Sequence, residues 1–333
     1  MKIKQYDATA TNLDWTADKL IINTTIPQSL LALTTRFDAM RILYQELMNH
    51  DYIYYMFQGN KSYFIKRPLV GTLWQRQDLQ QHGATFYTLQ TIKAVAKNHL
   101  APLRLLVLFS ATPDEAQRLT SNIADRMLIN NAALLAPQLL DNTMILSVMD
   151  LCRSSGSFYF DTPQYPDFEQ DIGAMIIEVM QKYHIAKDDV VLYGQGRGGT
   201  AALYYGLCAD YNAVSVNPVL TLTSFTAKND TFFLNDSLPT NFLTKFEPFL
   251  TAPLTYPKIL IATPMLNPDA KFYAELHHEK LQVMSLYNSL DTTLQSAMTH
   301  TVAAQVTWLN YLWLQSKHYL KVNQHIAKLS QAL

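Results

Sequence analysis

DVVLYGQGRGGTAALYYG is the sequence of residues 189–206. Five of the ten glycines in this 333-residue chain fall within it, and four of these lie between positions 194 and 199. A continuous apolar run at 190–193 precedes the glycines, and a run of small and apolar residues follows them. The first run is typical of a strand buried on both faces, and the second favours a helix. The stretch therefore predicts a buried strand, a tight turn and a helix.

The turn fits the G-x-S-x-G pattern of a nucleophile elbow, in which a serine side chain projects above the sheet. Gly194 and Gly198 occupy the positions where the chain reverses, and Gly199 extends the turn. The middle position is Gly196, so no side chain would project there. The N–H of Arg197, the next residue, would point at an oxyanion in an active enzyme. We therefore predict a hydrolase-type elbow whose nucleophile position is vacant.

Two alternatives remain open for the same turn. The spacing Gly194-x-Gly196-x-x-Gly199 also matches the dinucleotide fingerprint, which would make the chain an oxidoreductase. That fingerprint normally follows the first strand of its unit and needs a carboxylate after the next strand. Here at least two sheet strands come first, and the next strand ends at Val216 and is followed by Asn217. The other alternative is a plain structural turn.

The surrounding sequence alternates apolar runs with helical segments, the clearest helix being at 168–183. This alternation predicts a doubly wound, mostly parallel sheet covered by helices on both faces, so the fold class is α/β of the α/β-hydrolase type. The predicted sheet strands are at 105–109, 143–149, 190–193, 213–216, 259–262 and 281–285. The α/β-hydrolase-like domain is assigned to 102–333.

A smaller mixed α/β region is assigned to 1–101. Its predicted elements are a strand at 20–23, a helix at 28–49, strands at 52–57 and 63–66 joined by a turn at 59–61, and a helix at 86–98. The aromatic residues of this region would suit a sugar-stacking surface, but strands and cores favour the same residues, and we prefer that interpretation. They are Tyr52, Tyr54, Tyr55, Tyr63, Phe64 and Trp74.

Composition excludes several classes of protein. Hydrophobic residues make up 49% and charged residues 16%, which argues against disorder. The formal net charge of -1 gives no electrostatic reason to expect nucleic acid as a partner. Two cysteines make neither a disulfide framework nor a metal set, and they fit a reducing compartment. We expect no metal, no cofactor and a cytoplasmic location. The polar start of the chain lacks a signal peptide, and no apolar stretch is long enough to span a membrane.

Residues 105–206 resemble the capsular polysaccharide biosynthesis family of the XcbB/CpsF type. They are more distantly similar to the hydrolase-like components of the Gram-positive accessory secretion system. That stretch is about a third of the chain, and the residues in it that carry the resemblance are 106–110, 125–127, 150–152, 156–159, 188–194 and 198–206. Relatives with this pattern carry serine where this chain has Gly196. The resemblance implies the same fold and a role in a surface-glycan pathway, while the glycine puts catalysis in doubt.

In this fold the triad acid and histidine follow the nucleophile in chain order. Asp269 comes shortly after the fifth predicted sheet strand and is our candidate acid, with Asn267 as the neighbouring alternative. Asp269 is also placed to cap a helix. His300 follows the last strand and is the candidate histidine, since His277 and His278 precede that strand.

Other residues would complete or replace the site. The loop Ser110-Ala111-Thr112 would supply the second oxyanion donor. The Arg197 guanidinium would bind a carboxylate or phosphate, or pair with a surface acid. Ser155 and Ser157 lie near strand ends and are candidates for a displaced nucleophile, although neither is at a sharp strand-to-helix turn.

Three functions follow from these observations. The first is a non-catalytic binding or assembly component of a bacterial surface-glycan pathway, either capsule biosynthesis or glycoprotein modification and accessory secretion. Its partners would be a carbohydrate, a glycoprotein or other proteins of that pathway. The second is a serine hydrolase or O-acyltransferase acting on carbohydrate, with a displaced nucleophile or with its natural serine replaced. The third, and least favoured, is a dinucleotide-binding oxidoreductase.

Overall fold

The N-terminal part of the chain forms a four-stranded sheet of order β1-β2-β4-β3. The computed structural model describes residues 1–92, 102–129, 132–223, 225, 238–263, 267–287, 296, 299–317 and 320. The strands of this first sheet are β1 (Ile3–Asp7), β2 (Lys19–Asn23), β3 (Tyr52–Gln58) and β4 (Lys61–Lys66). Its two helices are α1 (Leu30–Leu33) and α2 (Asp38–Asn49), whose apolar faces pack on the sheet.

An eight-stranded sheet of order β12-β11-β10-β9-β7-β8-β6-β5 forms the main body of the protein. The strands from β7 to β12 run parallel, whereas β6 pairs antiparallel with β8 and with β5. The strands are β5 (Leu79–His82), β6 (Thr85–Ile92), β7 (Arg104–Phe109), β8 (Thr143–Val148), β9 (Val190–Gln195), β10 (Asn212–Val216), β11 (Lys258–Ala262) and β12 (Leu281–Ser285). The predicted mostly parallel sheet and its six strands are confirmed.

Helices cover both faces of this sheet, as a parallel sheet with fully buried central strands requires. Every residue of β7, β8 and β9 is buried. One face packs against α5 (Phe168–Lys182) and α6 (Arg197–Cys208), and the other against α8 (Val302–Leu314). The remaining helices are α3 (Glu115–Leu119), α4 (Ile123–Met127) and α7 (Leu243–Leu250).

The two predicted helices of the N-terminal region need correction. The first half of the segment at 86–98 belongs to strand β6, whose residues pair with β8 along six consecutive positions. Residues 93–98 lie outside the described residues. The predicted helix at 28–49 is two helices. The Thr34 hydroxyl donates to the Leu31 carbonyl at 2.6 Å, a local bond that competes with helix continuation.

The predicted hairpin at 52–66 is confirmed, with β3 and β4 antiparallel around Gly59. Strands β5 and β6 precede residue 102 yet belong to the large sheet, and the division of the chain at that residue stays a prediction. In the parallel part of the sheet all carboxyl ends lie at one edge. Phe109, the last residue of β7, pairs with Gly194, and Val216, the last of β10, pairs with Gln195. The turn at 194–199 therefore lies at this carboxyl edge, between the loops that follow β7 and β10.

Candidate functional site

The turn between β9 and α6 is sharp and places one residue in an unusual conformation. Gly196 has φ +54° and ψ −116°, and α6 begins at the next residue. Its N–H donates to the Val216 carbonyl at 2.9 Å, which ties the turn to the end of β10. Residues with a side chain rarely adopt a positive φ, and glycine does so without strain. The geometry is that of a turn that presents residue 196 above the sheet edge.

Backbone segments pass so close to each other in the turn that a residue with a Cβ atom does not fit at two of the glycine positions. A Cβ atom at Gly194 would lie 2.1 Å from the Gly198 carbonyl oxygen. A Cβ atom at Gly198 would lie 2.3 Å from the Phe109 carbonyl oxygen. Both contacts are with backbone atoms, which cannot rotate away. These glycines are therefore required by the packing of β9, α6 and β7, whatever the turn is used for.

The space above Gly196 holds the side chain of Thr112, from the loop after β7. A Cβ atom at Gly196 would lie 2.5 Å from the Thr112 hydroxyl oxygen and 3.3 Å from its Cβ atom. The Arg197 N–H donates to the same hydroxyl oxygen at 2.8 Å. In an active elbow this N–H donates to the oxyanion instead. Thr112 thus places an oxygen atom where an oxyanion would bind.

The Arg197 side chain points into the protein and not to the surface. Only 3% of it is exposed, and its Nη2 donates to the carbonyl oxygens of Ala111 and Arg126, each at 3.2 Å. Its Nε lies 3.8 Å from a carboxylate oxygen of Asp150, which is fully buried. The acidic partner of Arg197, which the sequence placed at the surface, is therefore the buried Asp150.

Asp150 follows β8 and anchors the loop that faces the turn. Its carboxylate accepts N–H groups from Ser157, at 2.9 and 3.0 Å, and from Tyr159, at 3.3 Å. Burial raises the pKa of the Asp150 carboxyl, while Arg197 and these N–H groups act in the opposite direction. Sequence reasoning missed this residue as a site residue, although an acid directly after a buried strand was a usable signal.

The predicted oxyanion loop has its groups engaged inside the protein. The Ser110 N–H donates to the Tyr159 hydroxyl at 2.7 Å, and the Ala111 carbonyl accepts from Arg197. Burial raises the pKa of the Tyr159 hydroxyl, so it stays a neutral partner. The structure brings Ser110, Ala111 and Arg197 together at the carboxyl edge as expected from the topology, and their role in oxyanion binding stays a prediction.

Asp269 lies at the start of a 3-10 helix, Pro268–Glu275, and is buried. Its carboxylate accepts the Leu220 N–H at 2.9 Å, and the Thr221 N–H and hydroxyl at 3.3 and 2.7 Å. Asn267, the alternative acid position, caps this helix by accepting the Asp269 N–H at 2.9 Å. Among the described residues, the side-chain hydrogen bonds of Asp269 all serve the loop after β10.

His300 lies just before α8 and is exposed. The structure places no hydrogen bond between it and Asp269, within the part of the chain that it describes. The assignment of these two residues as partners of the turn stays a prediction.

The two serines proposed as displaced nucleophiles differ in their surroundings. The Ser157 hydroxyl donates to the Phe160 carbonyl at 2.7 Å, and its N–H holds Asp150, so it is a structural residue of the loop. Ser155 is 6% exposed and lines a small cavity together with Thr112 and Arg197. Its hydroxyl has no hydrogen-bond partner among the described residues.

The sheet order, the helices on both faces and the turn at the carboxyl edge define a protein of the α/β-hydrolase fold class. The sequence matches no protein-family model, and no curated protein matches it.

Solved structures share the fold at low identity. One is the Glycosylation Associate Protein (Gap123) complex from Streptococcus agalactiae, with a TM-score of 0.51 and 14% identity, covering 73% of this chain and 47% of that one. Another is a mutant capsule O-acetyltransferase of Neisseria meningitidis serogroup A in complex with CoA, with a TM-score of 0.51 and 14% identity, covering 72% and 99%. A third is the fluorophosphonate-binding serine hydrolase FphF of Staphylococcus aureus, with a TM-score of 0.45 and 12% identity, covering 71% and 96%.

No helix in the described ranges is long and apolar enough to cross a membrane. No group of three or more histidine, cysteine, aspartate and glutamate side chains there is arranged to hold a metal ion.

Proposed function

We propose that this chain is a non-catalytic α/β-hydrolase-fold component of a bacterial surface-glycan pathway, which binds a ligand or a partner at the elbow-like turn. The observation that carries the proposal is the position of Thr112. Its hydroxyl lies 2.5 Å from where a Cβ atom at Gly196 would be, and it accepts the Arg197 N–H at 2.8 Å. A nucleophile position without a side chain is thus combined with an occupied oxyanion position.

Acyl transfer by a serine enzyme needs a nucleophile, a base and preorganised donors for the oxyanion. Glycine at 196 supplies no nucleophile. Of the expected donors, the Arg197 N–H donates to the Thr112 hydroxyl, and the Ser110 N–H of the loop after β7 donates to the Tyr159 hydroxyl. These two N–H groups would have to be released before they could hold an oxyanion. This arrangement supports a binding role over a catalytic one.

The pathway part of the proposal rests on the sequence resemblance of residues 105–206. The fold likeness to the capsule O-acetyltransferase and to the Gap123 complex agrees with it, but at 14% identity that likeness concerns the fold alone. The Gap123 structure is described as a complex, which makes protein partners in a glycan pathway a sensible expectation for this chain. A carbohydrate ligand is proposed on the resemblance only.

The catalytic question is tested with a fluorophosphonate probe and an activated acyl ester. We expect neither covalent labelling of the purified protein nor ester turnover above the buffer rate. Mass spectrometry of the intact protein and of its peptides would locate any adduct. Ser155→Ala and Ser157→Ala serve as matched variants, because both serines are buried in the same loop.

Labelling that disappears in Ser155→Ala but persists in Ser157→Ala would overturn the proposal in favour of an enzyme with a displaced nucleophile. The unpartnered Ser155 hydroxyl next to Arg197 is the observation that keeps this second candidate function open. A serine codon at position 196 in the genomic DNA would also contradict the non-catalytic assignment.

The pathway is tested by disrupting the gene in its source organism and measuring the amount and acylation of surface glycan and the export of glycoprotein. We expect at least one of these quantities to fall and to recover when the wild-type gene is restored. A strain in which all three are unchanged would rule out the glycan pathway.

A further inference from the structure

Strand β12 lies at one end of the large sheet, and its outer side is open. In the part of the chain that the structure describes, it pairs with β11 alone, and its residues Gln282, Val283 and Ser285 are exposed. Proteins usually protect such an edge with charged residues, proline or a bulge, because its unpaired N–H and C=O groups accept another strand. The sequence of β12, LQVMS, has no charge and no proline, and its register with β11 is unbroken. This edge is therefore left able to pair.

A groove of about 420 Å³ runs along the same strand. Its lining includes Leu281, Val283 and Ser285 of β12, which alternate along the strand and so share one face. The opposite wall comes from the segment before β12 and includes Tyr273, Leu276 and His277. The volume lies within the range of about 300–1,000 Å³ that is typical of clefts for small molecules, so the groove is large enough for one aromatic side chain.

An exposed tyrosine follows directly after this strand. Tyr287 is 70% exposed. The Leu286 N–H donates to the Ala262 carbonyl at 2.8 Å, so the chain continues alongside β11 beyond Ser285. Because side chains alternate in an extended chain, Tyr287 belongs to the same face as Leu281. One short segment thus carries a large exposed side chain and, about 20 Å away, a groove that could hold it.

A two-fold axis through Met284 would bring each tyrosine to the groove of the other copy. In an antiparallel pair of β12 strands centred on this residue, Tyr287 of one copy lies opposite the partner's Leu281, and opposite residues share a face. The His277 imidazole and the Ser285 hydroxyl line the groove and would serve the tyrosine hydroxyl, which needs a partner when it is buried. A surface that complements itself in this way is what a two-fold dimer requires.

Charge and area both permit such a dimer. The formal net charge of -1 gives little repulsion between two copies. A buried tyrosine removes about 150–250 Å² of its own surface from water and covers a similar area of the wall, so two insertions bury about 600–1,000 Å². The paired backbones of the two segments add to this, and specific interfaces begin at about 1,200 Å². Reciprocal insertion would therefore supply most of the area that a stable dimer needs.

We infer that this chain forms a two-fold dimer through β12, in which antiparallel pairing of the two edge strands places Tyr287 of each copy in the groove of the other. The two large sheets would then form one continuous sheet across the axis. The inference goes beyond the proposed function, because β12 lies at the sheet edge, three strands away from β9 and its turn.

The dimer is tested by sedimentation velocity of the purified full chain over a range of concentrations. We expect wild type to be dimeric at about 10 µM, because standard-sized interfaces have micromolar or tighter Kd values. Tyr287→Ala should raise the Kd at least about thirtyfold, as the loss of a central tyrosine does. Val283→Lys should leave the protein monomeric, because it places two unpaired charges in the interface. Tyr311→Ala and Ile42→Lys are the matched controls: both residues are exposed on other elements, and their variants should keep the wild-type Kd.

Cross-linking tests the register of the two strands. Met284→Cys would face its own copy across the axis with Cα atoms about 4.5–5.5 Å apart, a distance that a disulfide spans. Gln282→Cys is the matched control, since two residues from the axis its Cα atoms would be about 13 Å apart. Both are made in a Cys208→Ser background, because Cys208 is only partly buried. After mild oxidation, non-reducing electrophoresis should show a covalent dimer for Met284→Cys and none for Gln282→Cys.

Two results would overturn the inference. One is a folded wild type that stays monomeric at about 100 µM, far above the Kd expected of a specific interface. The other is a dimer that persists in both Tyr287→Ala and Val283→Lys, with circular dichroism showing that the variants are folded. A cross-link in Gln282→Cys but not in Met284→Cys would contradict the register and with it the insertion of Tyr287. None of these outcomes bears on the phosphonate and gene-disruption tests of the proposed function.

Discussion

Replacing Gly196 by serine tests whether Thr112 fills the space above the turn. The serine Cβ would lie 2.5 Å from the Thr112 hydroxyl oxygen, well inside van der Waals contact, at a residue whose φ is +54°. The positive φ should cost about 1–3 kcal/mol of folding free energy. The overlap with Thr112 should add about 1–3 kcal/mol, as overpacking usually does. We therefore expect Gly196→Ser to lower the free energy of unfolding by about 2–6 kcal/mol.

Thr112→Ala separates the two contributions. It removes the hydroxyl at 2.5 Å and leaves the Cβ contact at 3.3 Å, which needs a shift of only a few tenths of an ångström. In this background Gly196→Ser should cost little more than the strain of its positive φ. The double-mutant cycle should therefore show a favourable coupling of about 1–3 kcal/mol, within the range found for residues in contact.

Gly59→Ser is the matched control. Gly59 has φ +65°, and nothing lies within 4 Å of the position of its Cβ atom, so the substitution measures backbone strain without a steric overlap. Urea unfolding followed by circular dichroism gives the four free energies of the cycle and that of the control. Additive effects of Gly196→Ser and Thr112→Ala, or a cost equal to that of Gly59→Ser, would refute the assignment of Thr112 as the occupant.

Three further predictions concern the same part of the sheet. Asp150→Asn should lower the free energy of unfolding in urea by about 3–5 kcal/mol, because it leaves the buried Arg197 charge uncompensated; a loss below about 1 kcal/mol would mean that the pair is of little importance. Burial raises the pKa of the Cys152 thiol to about 12, so iodoacetamide at pH 8 should modify it only after unfolding. Rapid modification of the native protein, detected by mass spectrometry, would contradict this. Titration with NAD or NADP should give no heat of binding, since Asn217, after β10, bonds to Thr263 and offers no carboxylate for a ribose; micromolar binding would restore the oxidoreductase hypothesis.

The large sheet was predictable because its strands are encoded locally. Apolar runs such as those of β7 and β9 are buried at every residue, and such continuous runs identify strands covered on both faces. Strand β6 was assigned to a helix because its sequence, TFYTLQTI, has weak alternation, and its pairing partner β8 lies more than fifty residues away. At the break between α1 and α2 the Thr34 hydroxyl bonds to the Leu31 carbonyl, and hydrophobic periodicity carries no signal of such a bond.

The turn of the candidate site was predictable from the sequence, but the contacts around it were not, because they join distant segments of the chain. Glycine spacing is a local signal, and it located the turn at Gly196. The occupation of the space above it depends on Thr112, which is 84 residues earlier in the chain and reaches the turn only because β7 and β9 are neighbours. The Asp150–Arg197 contact likewise joins two loops that the sheet order brings together. Contacts of this kind follow from the assembled sheet and leave no pattern in either segment.

Among the glycines of the turn, the positions that the fold requires differ from the position that a catalytic side chain would occupy. A side chain at Gly194, Gly198 or Gly199 would collide with a backbone carbonyl oxygen, at 2.1, 2.3 and 2.8 Å, so these residues are needed for the strands and helix to pack at all. A side chain at Gly196 would collide with one movable hydroxyl, that of Thr112. The position that chemistry would use is therefore the one that the fold constrains least. The backbone packing of this turn does not depend on which side chain stands at position 196, which is why the turn is strong evidence for the fold and, by itself, none for catalysis.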